Sequence, residues 1–154
     1  MRYIFAGNEN FHDEVAMRLA NAGFDRCTDV DAAEVVITFC TSQSALEDLY
    51  FDEGGFVQAA NPGTLLVDFS ASTPGFAREL GSVATVSDLG FVEAPLVVSD
   101  MLDARPFDRE NLSAYVAGEE DAIAAAQPVL DAMVESVVSG GAAGPAQLAR
   151  AVKT

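Results

Sequence analysis

The sequence predicts an α/β fold, a mostly parallel sheet with helices on both faces. Three observations carry that reading. Short β-branched or aromatic runs alternate with stretches of helical periodicity along the chain. The first such run, Tyr3-Ile4-Phe5-Ala6, meets Gly7, and a helical stretch follows at once. With 154 residues, 50% of them hydrophobic, the chain can bury one good core, so a single domain over residues 1–154 is expected.

Residues 3–6 read as the first strand. In the stretch 13–22, Val15, Leu19 and Ala22 share one helical face, and Ala22-Gly23 supplies the stop. Asp13 and Glu14 read as first-turn acids favoured by the helix dipole. Residues 34–39 form a β-branched buried strand, and Thr41-Ser42 can cap a helix running through Tyr50. A short helix is expected over 54–60, ended by Asn61-Pro62-Gly63. Residues 64–69 are the next buried strand, and Thr73-Pro74 opens a helix with proline in its first turn.

A strand over 90–94 precedes an acidic loop over 101–109. Another strand (112–117), an alanine-rich helix (119–133), a last strand (134–138) and a final helix (145–153) complete the order. Gly140-Gly141-Ala142-Ala143-Gly144 reads as a turn rather than a domain boundary.

No apolar run approaches the ~20 residues of a membrane span, and the amino terminus lacks a charged-then-apolar signal. Cys27 and Cys40 suggest neither a disulfide framework nor a metal site. A cytoplasmic location with reduced thiols is the expectation. Against 24 acidic residues stand 8 basic ones, a formal net charge of −16, and Lys153 is the sole lysine. Such a surface repels nucleic acid and anionic membranes, so neither is an expected partner. The acids are spread along the chain, which suits solubility or a high-salt habitat.

The turn after the first strand carries the chemistry. Strand, Gly7 and helix supply the context of a G-x-G-x-x-G dinucleotide loop, but its second and third glycine positions hold Glu9 and His12. One glycine before a helix is a weak signal. Glu9, His12 and Asp13 as a metal site is a weaker one, since lone histidines seldom ligate, and no metal is expected.

Downstream spacing strengthens the motif. Gly7, Ala16, Leu19 and Ala22-Gly23 are followed by Glu34-Val35-Val36-Ile37-Thr38-Phe39, then by Gly63-Thr64-Leu65-Leu66-Val67-Asp68-Phe69-Ser70 with Pro74, then by Glu93-Ala94-Pro95-Leu96. In this order the chain resembles the amino-terminal, dinucleotide-binding (Rossmann) domain of the β-hydroxyacid dehydrogenases, the group of 3-hydroxyisobutyrate and 6-phosphogluconate dehydrogenases. The resemblance implies an NAD(P)-binding fold, normally followed by a helical domain that closes the substrate cleft.

Departures from the family fall where its chemistry sits. Glu9 sets a carboxylate where the pyrophosphate approaches the backbone. At an effective dielectric of ~20, one such pair ~4 Å apart costs roughly 4 kcal/mol, about a thousandfold in affinity. His12 adds bulk, although a charged imidazole would offset part of the repulsion. Residues 24–33 leave room for one short strand where the family fits a strand, a helix and another strand, so the second βα unit is shortened or missing. Asp25, Arg26 and Asp29 read equally well as ribose contacts or as turn residues. The family's serine-glycine-glycine substrate loop is replaced by Val97, Val98 and Ser99, and its threonine after Asp-x-Ser by Ala71. Arg150 takes the place of the catalytic lysine, and a permanently charged guanidinium is a poor general acid–base. Lys153 lies about a helical turn (~5 Å) further on, too far for an unmodified mechanism.

These departures point to a degenerate, non-catalytic domain serving as a binding or interaction module. Such a module would be a homo-oligomer through apolar residues such as 96–98, or would take a helical-domain partner protein. The alternative is an NAD(P)-dependent oxidoreductase of the same family with a divergent loop, completed by a partner chain. A third reading is a small-ligand sensor using residues 39–42 and 68–72, where Ser42, Ser70, Ser72 and Thr73 otherwise serve as helix caps. No cofactor is the expectation. If NAD or NADP were retained, Gly7, Asn8, Phe11, Phe39, Cys40, Thr41 and Ser70 would line it.

Overall fold

The structure, a computed structural model of the chain, describes residues 1–99 and 105–141. In chain order it contains β1 (Arg2–Gly7), α1 (Glu9–Asn21), β2 (Asp25–Arg26), β3 (Val35–Phe39), α2 (Gln43–Phe51), α3 (Phe56–Ala59) and β4 (Leu65–Asp68). Then follow α4 (Pro74–Val86), β5 (Gly90–Glu93), β6 (Leu96–Val98), β7 (Leu112–Gly118), α5 (Glu120–Met133) and β8 (Ser136–Gly141). The strands form one sheet in the order β2-β1-β3-β4-β5-β7-β6, with β8 also paired to β7.

From β2 to β5 every neighbour is parallel. A parallel sheet buried on both faces needs nearly continuous hydrophobic strands, which is why residues 35–39 and 65–68 lack polar alternation. Val35, Ile37, Leu65, Val67 and Val92 join one core with Phe11, Val15 and Leu19 of α1 and Ala126, Val129 and Leu130 of α5. Val36, Leu66 and Phe91 join the other, with Leu46 and Tyr50 of α2 and Phe76, Leu80 and Ala84 of α4. The fold is Rossmann-like, as expected.

Several boundaries differ from the sequence reading. Helix α1 starts at Glu9 rather than at 13, because Asn8 caps it. Asp13 and Glu14 therefore lie beyond its first turn, where Glu9 is the acid. Residues 96–98 form a strand antiparallel to β7, with Leu96 opposite Ala114 and Val98 opposite Leu112. Leu96 and Val98 pack against the core instead of forming a free apolar face. The last strand begins at Ser136 rather than at 134, since Val134 still closes α5.

The shortened second unit is visible. Strand β2 has two residues, Asp25 and Arg26, opposite Arg2 and Tyr3. A single 3-10 turn (Val30–Ala32), capped by the Asp29 carboxylate, then leads into β3. No described helix is long and apolar enough to cross a membrane. The expected helix over 145–153, with Arg150 and Lys153, lies outside the described residues, as does part of the 101–109 loop.

Candidate functional site

Parallel strands β1, β3, β4 and β5 end along one edge, with Gly7 opposite Phe39, Thr38 opposite Asp68, and Asp68 opposite Glu93. Open α/β sheets bind ligands at this edge. Gly7 has φ +127°, and a Cβ there would lie 2.1 Å from the Phe39 carbonyl oxygen. The next amide, that of Asn8, donates to that same oxygen at 2.8 Å. The surviving glycine is thus required by the close approach of the turn to β3, with or without a ligand.

Beyond Gly7 the turn consumes its own amides. Asn8 Oδ1 accepts from the backbone N–H groups of Asn10 (3.0 Å) and Phe11 (3.3 Å). The Asn8 carbonyl accepts from Phe11 (3.1 Å) and His12 (3.2 Å). In an anion-binding turn, N–H groups at this helix terminus would face the phosphate.

Glu9, His12 and Arg26 meet across the loop. Arg26 Nη2 donates to both Glu9 carboxylate oxygens at 2.9 Å, and its Nη1 lies 3.2 Å from His12 Nδ1. A guanidinium only donates, so His12 Nδ1 accepts and the ring carries its proton on Nε2. That Nε2 in turn donates to the Tyr3 hydroxyl at 2.8 Å. Burial first, and the Arg26 charge second, lower the His12 pKa. The imidazole is therefore neutral, correcting the expectation of a charged ring that offsets Glu9. Arg26 offsets it instead. Both His12 ring nitrogens are engaged, which leaves neither for a metal.

Aromatic rings gather beside the ends of β1 and β3. Phe11 stacks on Phe39 with centroids 4.2 Å apart. Phe107, from the segment before β7, meets Phe11 edge-on at 5.1 Å and Phe39 at 6.1 Å. Arg18 of α1 holds that segment, donating from Nη1 to the Phe107 carbonyl at 2.8 Å.

Beneath the edge runs a buried polar chain. Thr38 Oγ1 donates to Asp68 Oδ1 at 3.0 Å and lies 2.7 Å from the Tyr50 hydroxyl. With the threonine proton committed to Asp68, Tyr50 is the donor in that second bond. Asp68 Oδ1 also accepts the Ser70 N–H at 3.0 Å, and Ser70 Oγ accepts the Cys40 N–H at 2.8 Å. Burial raises the Asp68 pKa to about 6 despite these donors, and raises Cys40 to about 11. Cys40 is thus a protonated thiol at neutral pH and a poor nucleophile.

Of the residues singled out from sequence, Gly7, Asn8, Phe11, Phe39, Cys40 and Ser70 are gathered at this edge. Thr41 is exposed beyond them. Ser42 and Thr73 cap α2 and α4, whereas Ser70 ties β4 to β3 rather than capping a helix. Sequence reasoning missed Phe107 and the pairing of Arg26 with Glu9. The second carried a signal, because an arginine two residues into a truncated strand stands beside the loop.

The sequence profile described as the NAD binding domain of 6-phosphogluconate dehydrogenase matches residues 7–143. This chain belongs to that family. Human mitochondrial 3-hydroxyisobutyrate dehydrogenase is 35% identical over 121 residues, covering 78% of this chain and 34% of that protein. The NAD-dependent L-serine dehydrogenase of Pseudomonas aeruginosa is 29% identical over 121 residues, covering 79% and 39% respectively. The chain therefore spans well under half the length of these family members. Among solved structures, Mycobacterium tuberculosis 3-hydroxyisobutyrate dehydrogenase with L-serine superposes with TM-score 0.80 at 24% identity, covering 99% of this chain and 58% of that one. Psf3 in complex with NADP+ and 2-OPP gives TM-score 0.82 at 19% identity, covering 99% and 61%. At such identities the superpositions speak for the family fold alone.

Proposed function

We propose that this chain is a non-catalytic member of the family: a Rossmann-type module that holds no NAD(P) in its first loop and serves as a binding or interaction domain. The observation that carries this reading is the Glu9–Arg26–His12 cluster. It fills the two lost glycine positions and uses the arginine of the residual second strand. The Asn8 cap removes amides that a pyrophosphate would need. The residues present are thus a poor fit for the family cofactor. A helical-domain protein or a second copy is the proposed partner. A cytoplasmic location belongs to the same proposal and suits two unpaired thiols, Cys27 and Cys40.

A second reading is an NAD(P)-dependent oxidoreductase completed by a partner chain. Its support is the family match over residues 7–143. Turnover assays with 3-hydroxyisobutyrate and L-serine, each with NAD+ and NADP+ and each run with and without an added helical-domain protein of the family, test the choice. The non-catalytic reading expects no reduced cofactor above the enzyme-free rate. Saturable turnover with either substrate overturns it.

A further inference from the structure

We propose that Phe107 is a plug for the strand-end crevice and that Arg18 is its latch. The inference deepens the non-catalytic reading and rests on it for what the crevice no longer holds. Two separate contacts set the plug. The Phe107 ring stands edge-on to the stacked Phe11 and Phe39, with interplanar angles of 89° and 75°. Its carbonyl, rather than its ring, is gripped by Arg18 from a helix 89 residues away in sequence. A ring placed by apolar contact and a backbone placed by a hydrogen bond fix both position and orientation.

The segment itself is built to present one side chain. Asp108 N–H donates to the Arg105 carbonyl at 3.1 Å, and Asn111 N–H to the Asp108 carbonyl at 2.9 Å. Asn111 Nδ2 reaches the Arg105 carbonyl at 3.1 Å, and Arg109 Nε reaches the Asp131 carbonyl of α5 at 2.9 Å. Phe107 therefore projects from a local turn anchored to α5 on one side and to α1 on the other.

The latch is incompletely satisfied. Arg18 Nε and Nη2 are buried and have no hydrogen-bond partner among the described residues. Buried donors without acceptors penalise the closed arrangement, so aromatic packing has to offset that penalty. Closure is then conditional on Arg18 and Phe107 together, which gives the crevice a shut and an openable state. The exclusion is steric and acts in addition to the Glu9 carboxylate.

A chain with no tryptophan makes Phe107→Trp a single reporter. The plug predicts blue-shifted emission and acrylamide quenching several-fold below that of free indole. Adding Arg18→Met, which keeps the aliphatic stem, is expected to red-shift the emission and raise quenching several-fold with unchanged far-UV circular dichroism. An indole freely quenched with Arg18 present, or emission indifferent to Arg18→Met, overturns the proposal. If the double variant does not fold, nuclear Overhauser contacts on the unaltered chain decide. Contacts from the Phe107 ring to the Phe11 and Phe39 rings support closure, and a Phe107 ring without them overturns it. NADH added to the Arg18→Met chain separates the two readings. Binding only in the unlatched chain sinks the cofactor-free module and keeps the plug, whereas an unshielded indole sinks the plug and leaves the module standing.

Discussion

Arg26 Nη1 lies 3.2 Å from His12 Nδ1, and that contact fixes the protonation state of the chain's single histidine. A guanidinium has no lone pair to offer, so His12 accepts there and is neutral with its proton on Nε2. One residue from the truncated second strand thereby joins both substituted glycine positions of the loop. The losses are coupled, each side chain occupying space or charge that the others leave.

The first prediction concerns that ring. Nitrogen-detected NMR should show a single Nε2-H tautomer and a pKa below 6.5, because burial and Arg26 both disfavour the charged form. A base with a depressed folded pKa makes the unfolded chain the better proton acceptor. Its contribution is complete above about 6.5 and is lost as pH falls from there through the folded value. Arg26→Ala should bring the titration back toward 6.5. A histidine titrating normally in the unaltered chain would contradict the network.

Asp68 predicts the opposite slope. Its pKa is raised from 3.8 to about 6 by burial, so the folded chain holds this proton more tightly than the unfolded one. Stability falls as pH rises from about 4 to about 6, by about 3 kcal/mol for this group. Asp68→Asn removes that dependence and should gain on the unaltered chain over this window. Urea midpoints at pH 4 and pH 7 check it, and an unchanged difference between the two chains would contradict it.

Gly7→Ala should destabilise by at least about 2 kcal/mol in urea titration, from backbone strain at positive φ and from collision with the Phe39 carbonyl. The effect should be the same with and without NADH, because the glycine answers to β3 rather than to a cofactor.

Glu9→Gly combined with His12→Gly should not create cofactor affinity. The Asn8 cap, the Phe11–Phe39 stack and the two-residue β2 all remain. Two glycines in the first turns of α1 should cost about 1 kcal/mol each in stability, and the lost His12 contacts add to that. Calorimetric titration with NADH checks the expectation, and saturable heat would show that the loop alone had closed the site.

Much of this fold was legible because strand burial leaves a mark in sequence. Residues 35–37 and 65–67 are apolar on both faces, and Ser42, Thr73 and Pro74 punctuate their helices where expected. What escaped depends on partners distant in the chain. Leu96–Val98 becomes a strand only because 112–114 runs beside it, and three apolar residues after a proline carry no such instruction. Helix α1 begins early because the Asn8 side chain folds back on two amides, a preference masked by the glycine-loop expectation. Phe107 was invisible for the same reason, since its place is set by Arg18 across 89 residues. The Glu9 charge is legible in the sequence but its surroundings are not. The roughly 4 kcal/mol repulsion expected at an effective dielectric of ~20 ignored Arg26, whose exposed pairing with Glu9 screens the carboxylate while consuming the cation.

The first loop of this family member is occupied by its own side chains, Glu9 and His12, joined by Arg26. Thermal-shift titration of the unaltered chain with NADH and NADPH, to millimolar cofactor at moderate salt, tests it most directly. Ligand binding raises stability by RT ln(1 + [L]/Kd), so a retained site would reveal itself as a rising midpoint. A flat midpoint with both cofactors is expected, and a saturable shift of several degrees with either one would show that the site is retained.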